Sequence, residues 1–275
     1  MIDNVLNNAD KDTMRPDRWD RWHAADGRTS LIRRSRPTKS ILLDANPGAI
    51  EVDLASSALL IVDMQNDFLE QEGWFAKDRE QDVEPLKSVL DSINTLSATF
   101  REHQAPVIHL NWGVRADTAN LPANTLDKAN ACGTQIGYGD KSQNGRVLVD
   151  GDWGSRSIDA IDVANTDFQV SKHRLSGFRD NELDQMLRRL GVTTLFFTGV
   201  NIDRCVFATL MDGCFQGYDA ILVEDACQTT SPTYVRDAIL YLVRLLYGFT
   251  VEATHILEAV NGQLPTLQTY KGNTK

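Results

Sequence analysis

Three residue types in this chain can combine into one reaction: a carboxylate at Asp63, an ammonium at Lys172 and a thiol at Cys205. A thiolate is a strong nucleophile. A helix N-terminus and a nearby cation both favour its formation. A carboxylate alongside can take the thiol proton and later give it to a departing amine. No histidine is needed. Each residue also has a plain reading. Cys205 could be a small buried hydrophobe, Asp63 a turn or capping residue, and Lys172 a solvated strand end. The reactive reading requires that all three stand at one edge of one fold, so it depends on the elements that carry them.

Those elements alternate. "SALLIVDM" (57–64) is a near-continuous apolar run, as in a strand buried on both faces. "VEPLKSVLDSINTLSATFREHQ" (83–104) has helical spacing, and "PVIHLNW" (106–112) reads as a second strand. Residues 113–165 are weakly periodic and rich in Gly and Asn. "DFQVSK" (167–172) predicts a third strand, 181–191 a helix, "TTLFFTGV" (193–200) a fourth strand and 203–216 a helix. "AILVEDA" (220–226) predicts a fifth strand. A helix over 231–248 opens on Ser-Pro and stops at Gly248, and "FTVEATHIL" (249–257) closes the pattern as a sixth strand. The order predicts an α/β fold, a Rossmann-like three-layer α/β/α sandwich with a six-stranded parallel sheet and right-handed crossovers. Ligands bind such sheets outside the carboxyl ends of the strands. Asp63, Asn111 with Trp112, Lys172, the turn through Val200 and Asn201 to Cys205, and Glu224 with Asp225 all fall there.

The 275 residues suit one large domain, expected over 57–275, with residues 1–56 as a polar, irregular N-terminal arm carrying the basic cluster 33–36. A net charge of −10 argues against nucleic acid and anionic membranes as partners. The four cysteines form no C-x-x-C pair, the N-terminus has no apolar leader segment, and no run is long enough to span a bilayer. A cytoplasmic location is expected.

"LLIVDMQNDFLEQEGWF", "SKHRLSGF" and "TGVNIDRCVFATLMDGCFQGYD" together resemble the isochorismatase-like cysteine hydrolase family over roughly residues 57–257. The resemblance implies Asp63, Lys172 and Cys205 as a catalytic triad and a cis peptide between Val200 and Asn201. It also implies an oxyanion hole built from the backbone N–H groups of Asn201 and Cys205. Oligomerisation is expected for this family, so a homo-oligomer, dimer or tetramer, is expected here. The apolar stretch 241–249 could serve an interface or the core.

The family includes metal-dependent nicotinamidases with an Asp-Trp-His after the second strand. This chain has Asn111-Trp112-Gly113, so no metal and no other cofactor is expected. The third motif is most similar to the ureide branch, which holds ureidoacrylate, biuret and triuret hydrolases. That implies cleavage of a C–N bond in a small linear ureide or carbamoyl amide. Gln65, Asn66, Asn111 and Asn201 are candidates to read a carbamoyl group, since amides match its donors and acceptors. Phe68, Trp74 and Trp112 could exclude water, or be ordinary core aromatics. Arg174 and Arg179 could hold a substrate carboxylate, and His173 could orient substrate. An isochorismatase-type ether hydrolase, a nicotinamidase-like amidase and a catalytically silent scaffold stay open as alternatives.

Overall fold

The computed structural model describes residues 23–32 and 37–262. Residues 1–22 and the basic cluster 33–36 of the expected arm lie outside them. Two antiparallel hairpins come first: β1 (His23–Ala25) with β2 (Arg28–Ser30), and β3 (Ser40–Leu43) with β4 (Ile50–Asp53). The main chain of strands follows as β5 (Ser57–Val62) and β6 (Val107–Trp112). After a short hairpin of β7 (Lys141–Ser142) and β8 (Gly145–Arg146) come β9 (Phe168–Lys172), β10 (Thr194–Val200), β11 (Asp219–Gln228) and β12 (Gly248–Val251). The helices are α1 (Asn66–Leu69), α2 (Trp74–Lys77), α3 (Leu90–Glu102), α4 (Ala123–Ala129), α5 (Leu183–Arg189), α6 (Phe207–Phe215), α7 (Thr233–Leu242) and α8 (Ala253–Val260).

Six strands form one parallel sheet in the order β12-β11-β10-β5-β6-β9. Every residue of β5 and β10 is buried, which is why both read as unbroken apolar runs. The chain steps outward from β5 through β6 to β9, then returns to β10 and steps the other way. With right-handed crossovers that reversal puts helices on opposite faces of the sheet. On one of those faces α3 and α8 pack against each other. The reversal point between β5 and β10 is the crevice where such sheets bind ligands. Asp63 follows β5 and Cys205 follows β10, so the topology brings them to the same gap.

One glycine makes that gap possible. Gly199 has φ +107, and a Cβ there would stand 2.1 Å from the Val62 carbonyl oxygen. Only a residue without a side chain lets the end of β10 lie this close to the end of β5. The register between β10 and β11 also shifts between Phe197 and Gly199, which turns the chain toward the following helix.

Three expectations change. Residues 40–56 are not irregular. The β3–β4 hairpin buries Leu43 and Val52 in the core, and Asn46 exchanges two 2.9 Å backbone hydrogen bonds with Thr250 on the edge strand β12. The segment therefore covers an edge that would otherwise present unpaired groups. The sixth strand stops at Val251, and the run 253–257 starts α8. Its apolar residues Ala253, Ile256 and Ala259 follow helical spacing once Val260 is included. His255 thus sits on a helix, and its Nδ1 lies 3.0 Å from the Asp44 carbonyl oxygen. The stretch 113–165 holds α4, β7, β8 and a short turn at Trp153–Ser155.

Replacing Gly199 with Ala is expected to cost about 3 kcal/mol or more, because the new Cβ meets a backbone carbonyl and the positive φ disfavours any side chain. Urea unfolding of the variant would measure it. A change below about 1 kcal/mol would show that the two strand ends can separate.

Candidate active site

The three residues singled out by their chemistry converge. Lys172 ends β9 and is fully buried, with its Nζ 3.0 Å from Asp63 Oδ2. Asp63 is 1% exposed and takes the left-handed conformation at φ +52, which Asp tolerates better than most residues. Its backbone N–H donates to the Leu110 carbonyl at 3.0 Å, and its carbonyl accepts from Gln65 at 2.8 Å. The turn therefore fixes the carboxylate over the end of the sheet. Neither carboxylate oxygen receives an aligned hydrogen bond. The ammonium supplies charge while leaving lone pairs open toward the neighbouring Cys205 thiol.

Trp112, the last residue of β6, joins the parts. Its indole Nε1–H donates to Cys205 Sγ at 3.3 Å, and Lys172 Nζ stands 4.3 Å from its ring centroid. Gln65 holds it in place twice: Oε1 accepts from the Trp112 N–H and Nε2 donates to the Trp112 carbonyl, both at 2.8 Å. Gln65 also donates to the Ser155 carbonyl at 2.7 Å. It has no amide group left to read a substrate.

Cys205 lies in a wide turn at Ile202–Val206 that runs straight into α6. The Val200–Asn201 peptide before it is cis. The Arg204 and Val206 N–H groups both donate to the Asn201 carbonyl, at 3.0 and 3.3 Å. The Asn201 Oδ1 accepts from the Thr229 hydroxyl at 3.2 Å and from the Thr230 N–H at 3.1 Å.

Electrostatics correct one expectation. Burial pushes the Cys205 thiol up to about 12, and the Asp63 charge adds to this more than Lys172 and the Trp112 indole offset it. At neutral pH the thiol is therefore held in its protonated form. The helix start and the cation do not give a resting thiolate, because desolvation outweighs them. Burial also raises the Asp63 carboxyl, against the lowering effect of Lys172. Thiol and carboxyl are thus both biased toward their protonated forms, and the pair is suited to passing one proton between them.

The other candidates divide. Phe68 stacks edge-on against Phe75 at 4.7 Å and Trp74 at 6.4 Å, in an aromatic wall that continues to the site. Asn111 is half-buried, with Nδ2 donating to Ser157 Oγ at 3.0 Å. Asn66 is drawn elsewhere: Nδ2 donates to the Trp153 carbonyl at 2.8 Å and its N–H to the Arg156 carbonyl at 3.0 Å. Arg174 donates to the Asn120 and His173 carbonyls at 2.6 and 2.9 Å and pairs with Asp180 at 3.2 Å. Arg179 grips both oxygens of Asp212. These two guanidiniums are committed before any substrate arrives. His173 is held below its ordinary value by burial and by Arg174, so its ring is neutral.

Sequence reasoning missed Tyr138. Its ring lies 4.7 Å from Trp112 and 5.4 Å from Trp74, and burial raises its phenol above the usual range. The signal was available: an aromatic between two glycines, in a long connection that leaves the ligand end of the sheet. Among the described residues no group of three or more His, Cys, Asp or Glu side chains is gathered as a metal site, and no helix is long and apolar enough to cross a membrane.

The buried pair makes an energetic claim. Lys172→Met and Asp63→Asn each leave one buried charge unmatched and are expected to cost about 3–5 kcal/mol. The double variant should cost clearly less than the two summed, by about 2 kcal/mol or more. Urea denaturation of the four proteins measures the coupling, and additive costs would mean the two groups do not interact.

Comparison with known proteins places this geometry. The isochorismatase domain model matches residues 57–254. The ureidoacrylate amidohydrolase RutB of Klebsiella pneumoniae is 30% identical over 228 residues, covering 82% of this chain and 95% of the relative. The RutB of Acinetobacter baylyi is also 30% identical, over 213 residues, covering 76% of this chain and 85% of the relative. Among solved structures, the N-carbamoylsarcosine amidase of Thermoplasma acidophilum is 26% identical, with a TM-score of 0.56 over 72% of this chain and 96% of that one. A cysteine hydrolase from Pseudomonas syringae, 21% identical, shares the fold with a TM-score of 0.66, covering 83% of this chain and 99% of its own. With a domain match over most of its length and curated relatives spanning nearly their whole sequences, the chain belongs to the isochorismatase family and is an amidohydrolase of that family.

Proposed function

We propose that this protein cleaves a C–N bond of a small linear ureide or carbamoyl amide through a covalent Cys205 intermediate. It is read as a cytoplasmic homo-oligomer whose partner in the reaction is a small molecule. The observation that carries the reading is the meeting of a buried Asp63–Lys172 pair, at 3.0 Å, with a thiol held by the Trp112 indole at 3.3 Å. The similarity to ureidoacrylate amidohydrolases and to an N-carbamoylsarcosine amidase supports the ureide class.

The steps follow from the protonation balance. Asp63, ionised beside Lys172, takes the thiol proton as sulfur attacks the carbonyl carbon. Attack and proton transfer are coupled, because a free thiolate is too scarce. The carbonyl oxygen becomes an oxyanion held by the backbone N–H groups of Asn201 and Cys205, each such donor being worth about 3 kcal/mol. Protonated Asp63 gives its proton to the departing nitrogen, and the C–N bond breaks to leave a thioester, S-carbamoyl when the carbonyl belongs to a urea. Water then loses a proton to Asp63 and attacks the thioester carbon. The second oxyanion collapses, the C–S bond breaks, and sulfur recovers its proton from Asp63. The Lys172 ammonium, 3.0 Å from Asp63 Oδ2, favours the ionised carboxylate against the effect of burial.

Cys205→Ala is expected to lose all measurable ammonia or amine release while melting within a few degrees of the wild type. An active Cys205→Ala protein would end the covalent route. A panel of biuret, triuret, ureidoacrylate, N-carbamoyl amino acids and nicotinamide, run with and without chelator, tests substrate and metal together. Ureides should be turned over best and chelator should change nothing; nicotinamide as best substrate or loss on chelation would overturn the assignment. An ether hydrolase would survive thiol alkylation, and this enzyme should not.

The pH profile has a definite sign. The base must be ionised and its folded value is raised, so kcat/KM should fall with decreasing pH through a midpoint above the ordinary 3.8. Lys172→Gln removes the charge that lowers Asp63, so its residual activity should fall off at still higher pH. A limb that stays put in Lys172→Gln would mean that Asp63 is not the titrating base.

A further inference from the structure

The aromatic wall leads from the nucleophile to two arginines that the proposed chemistry does not use. From Cys205 it runs through Trp112 to Tyr138 at 4.7 Å and on to Trp74 at 5.4 Å. Trp74 meets Phe75 at 5.2 Å. The Arg79 guanidinium carbon lies 5.6 Å from the Trp74 ring centroid, and that of Arg204 lies 6.0 Å from the Phe75 centroid. Both side chains are half-buried, with their hydrocarbon stems against the protein.

Their partners differ from those of Arg174, Arg179 and Arg115, while the Arg146 guanidinium also donates to a neutral carbonyl, that of Gly139 at 2.7 Å. Arg174, Arg179 and Arg115 are each matched to a carboxylate, on Asp180, Asp212 and Asp117. Arg79 donates only to neutral acceptors, the Ala129 carbonyl at 3.1 Å and Gln135 Oε1 at 2.6 Å. Arg204 donates to the Thr230 and Ser231 hydroxyls at 3.1 and 3.0 Å. Its nearest carboxylate, Asp203, stands 3.6 Å from Nε and is itself engaged by the Thr229 and Ser231 hydroxyls. Each guanidinium has five N–H donors, so both retain donors and positive charge. The Tyr138 ring lies between the Trp112 ring on the Cys205 side and the Trp74 ring on the Arg79 side.

Two half-buried arginines here run against the charge of the whole molecule, which is −10. Such a field repels an anionic substrate unless cations at the mouth reverse it locally. Guanidinium groups stacked on rings are kept oriented and lose little freedom on binding an oxyanion.

We propose that Arg204 and Arg79 form a rim that binds a substrate carboxylate at the far end of the Trp112–Tyr138–Trp74 wall, so that the preferred substrate is a ureido acid and not a neutral ureide. The inference rests on reading the site as a Cys205 amidohydrolase, and it gives the recognition role first sought at Arg174 and Arg179 to two other residues. Tyr138 lies along the wall between Trp112 and Trp74.

The test compares N-carbamoyl-β-alanine with its uncharged methyl ester. The wild type should favour the acid by at least about tenfold in kcat/KM, and Arg204→Gln and Arg79→Gln should each cut that preference about tenfold, mainly through KM. Arg204→Lys should keep part of it, since the charge stays and the planar fork goes. Calorimetry on Cys205→Ala separates recognition from chemistry: the acid should bind more tightly than the ester, and adding Arg204→Gln should erase the difference. Equal loss on both compounds in Arg204→Gln, with no effect of Arg79→Gln, would mean that Arg204 only braces the nucleophile turn, and the rim is overturned. A wild type indifferent to the charge would overturn it too. Should Cys205→Ala remain active while still preferring the acid, the covalent mechanism falls and the rim stands.

Discussion

A carboxylate and an ammonium, both buried and 3.0 Å apart, form the constraint around which the rest of the structure is arranged. Removing two charges from water is expensive, and their attraction roughly offsets that cost only when the geometry is held. Here the holding elements are the ends of β5 and β9, two strands that are not neighbours in the sheet, with β6 between them. Lys172 reaches across the end of β6, above the Trp112 ring, to meet Asp63. A pair placed on flexible loops would let water in and lose the high carboxyl pKa. Placed on the sheet, it keeps a base that is both ionisable and reluctant to stay ionised.

Burial, which raises the carboxyl, also raises the thiol. A cysteine ionised at rest would be exposed to oxidation and alkylation throughout the life of the protein. In the proposed mechanism the buried Cys205 is protected by desolvation, and it becomes reactive when a carbonyl arrives to accept its electrons as Asp63 accepts its proton. Trp112 contributes to both ends of this balance. Its N–H favours charge on sulfur, while its ring faces the Lys172 cation and closes one side of the site.

Much of this was readable because strands buried on both faces announce themselves as apolar runs. Once 57–62, 107–112, 168–172 and 194–200 are strands of one parallel sheet, the residues at their carboxyl ends must gather, and Asp63, Trp112, Lys172 and Cys205 do. What the sequence hid is of two kinds. Polar side chains near the site gave no sign of how they are spent: Gln65 and Asn66 tie 153–156 to the strand ends, and the Asn201 amide anchors 229–230. Segments without periodicity hid their contacts, so Tyr138 could not be placed over Trp112 from the stretch 113–165. The run after Val251 was misread because four residues, TVEA, fit a strand and a helix start equally well, and only burial of Ile256 and Ala259 decides.

The turn that carries Cys205 shows why polar side chains near it are spent on the fold. The chain must leave β10 through a register shift, pass a cis peptide and enter a wide helical turn, all within 199–206. Such a path has few backbone hydrogen bonds of its own, so side chains supply them. Asn201 binds Thr229 and Thr230, Asp203 binds Thr229 and Ser231, and Arg204 binds Thr230 and Ser231. Three consecutive hydroxyl residues after β11 thereby clamp the three polar residues that precede Cys205. On the other side of the sulfur, the Thr209 hydroxyl donates to the Cys205 carbonyl at 2.6 Å and accepts from the Gly177 N–H at 3.0 Å, tying α6 to the segment after β9. The sulfur is therefore fixed from the β11 side and the β9 side at once. Asp63 and Trp112 come from β5 and β6, two of the three strands between these anchors. Catalytic geometry of this kind needs tolerances well under an ångström, and a sheet clamped at both flanks is a physical means of keeping them.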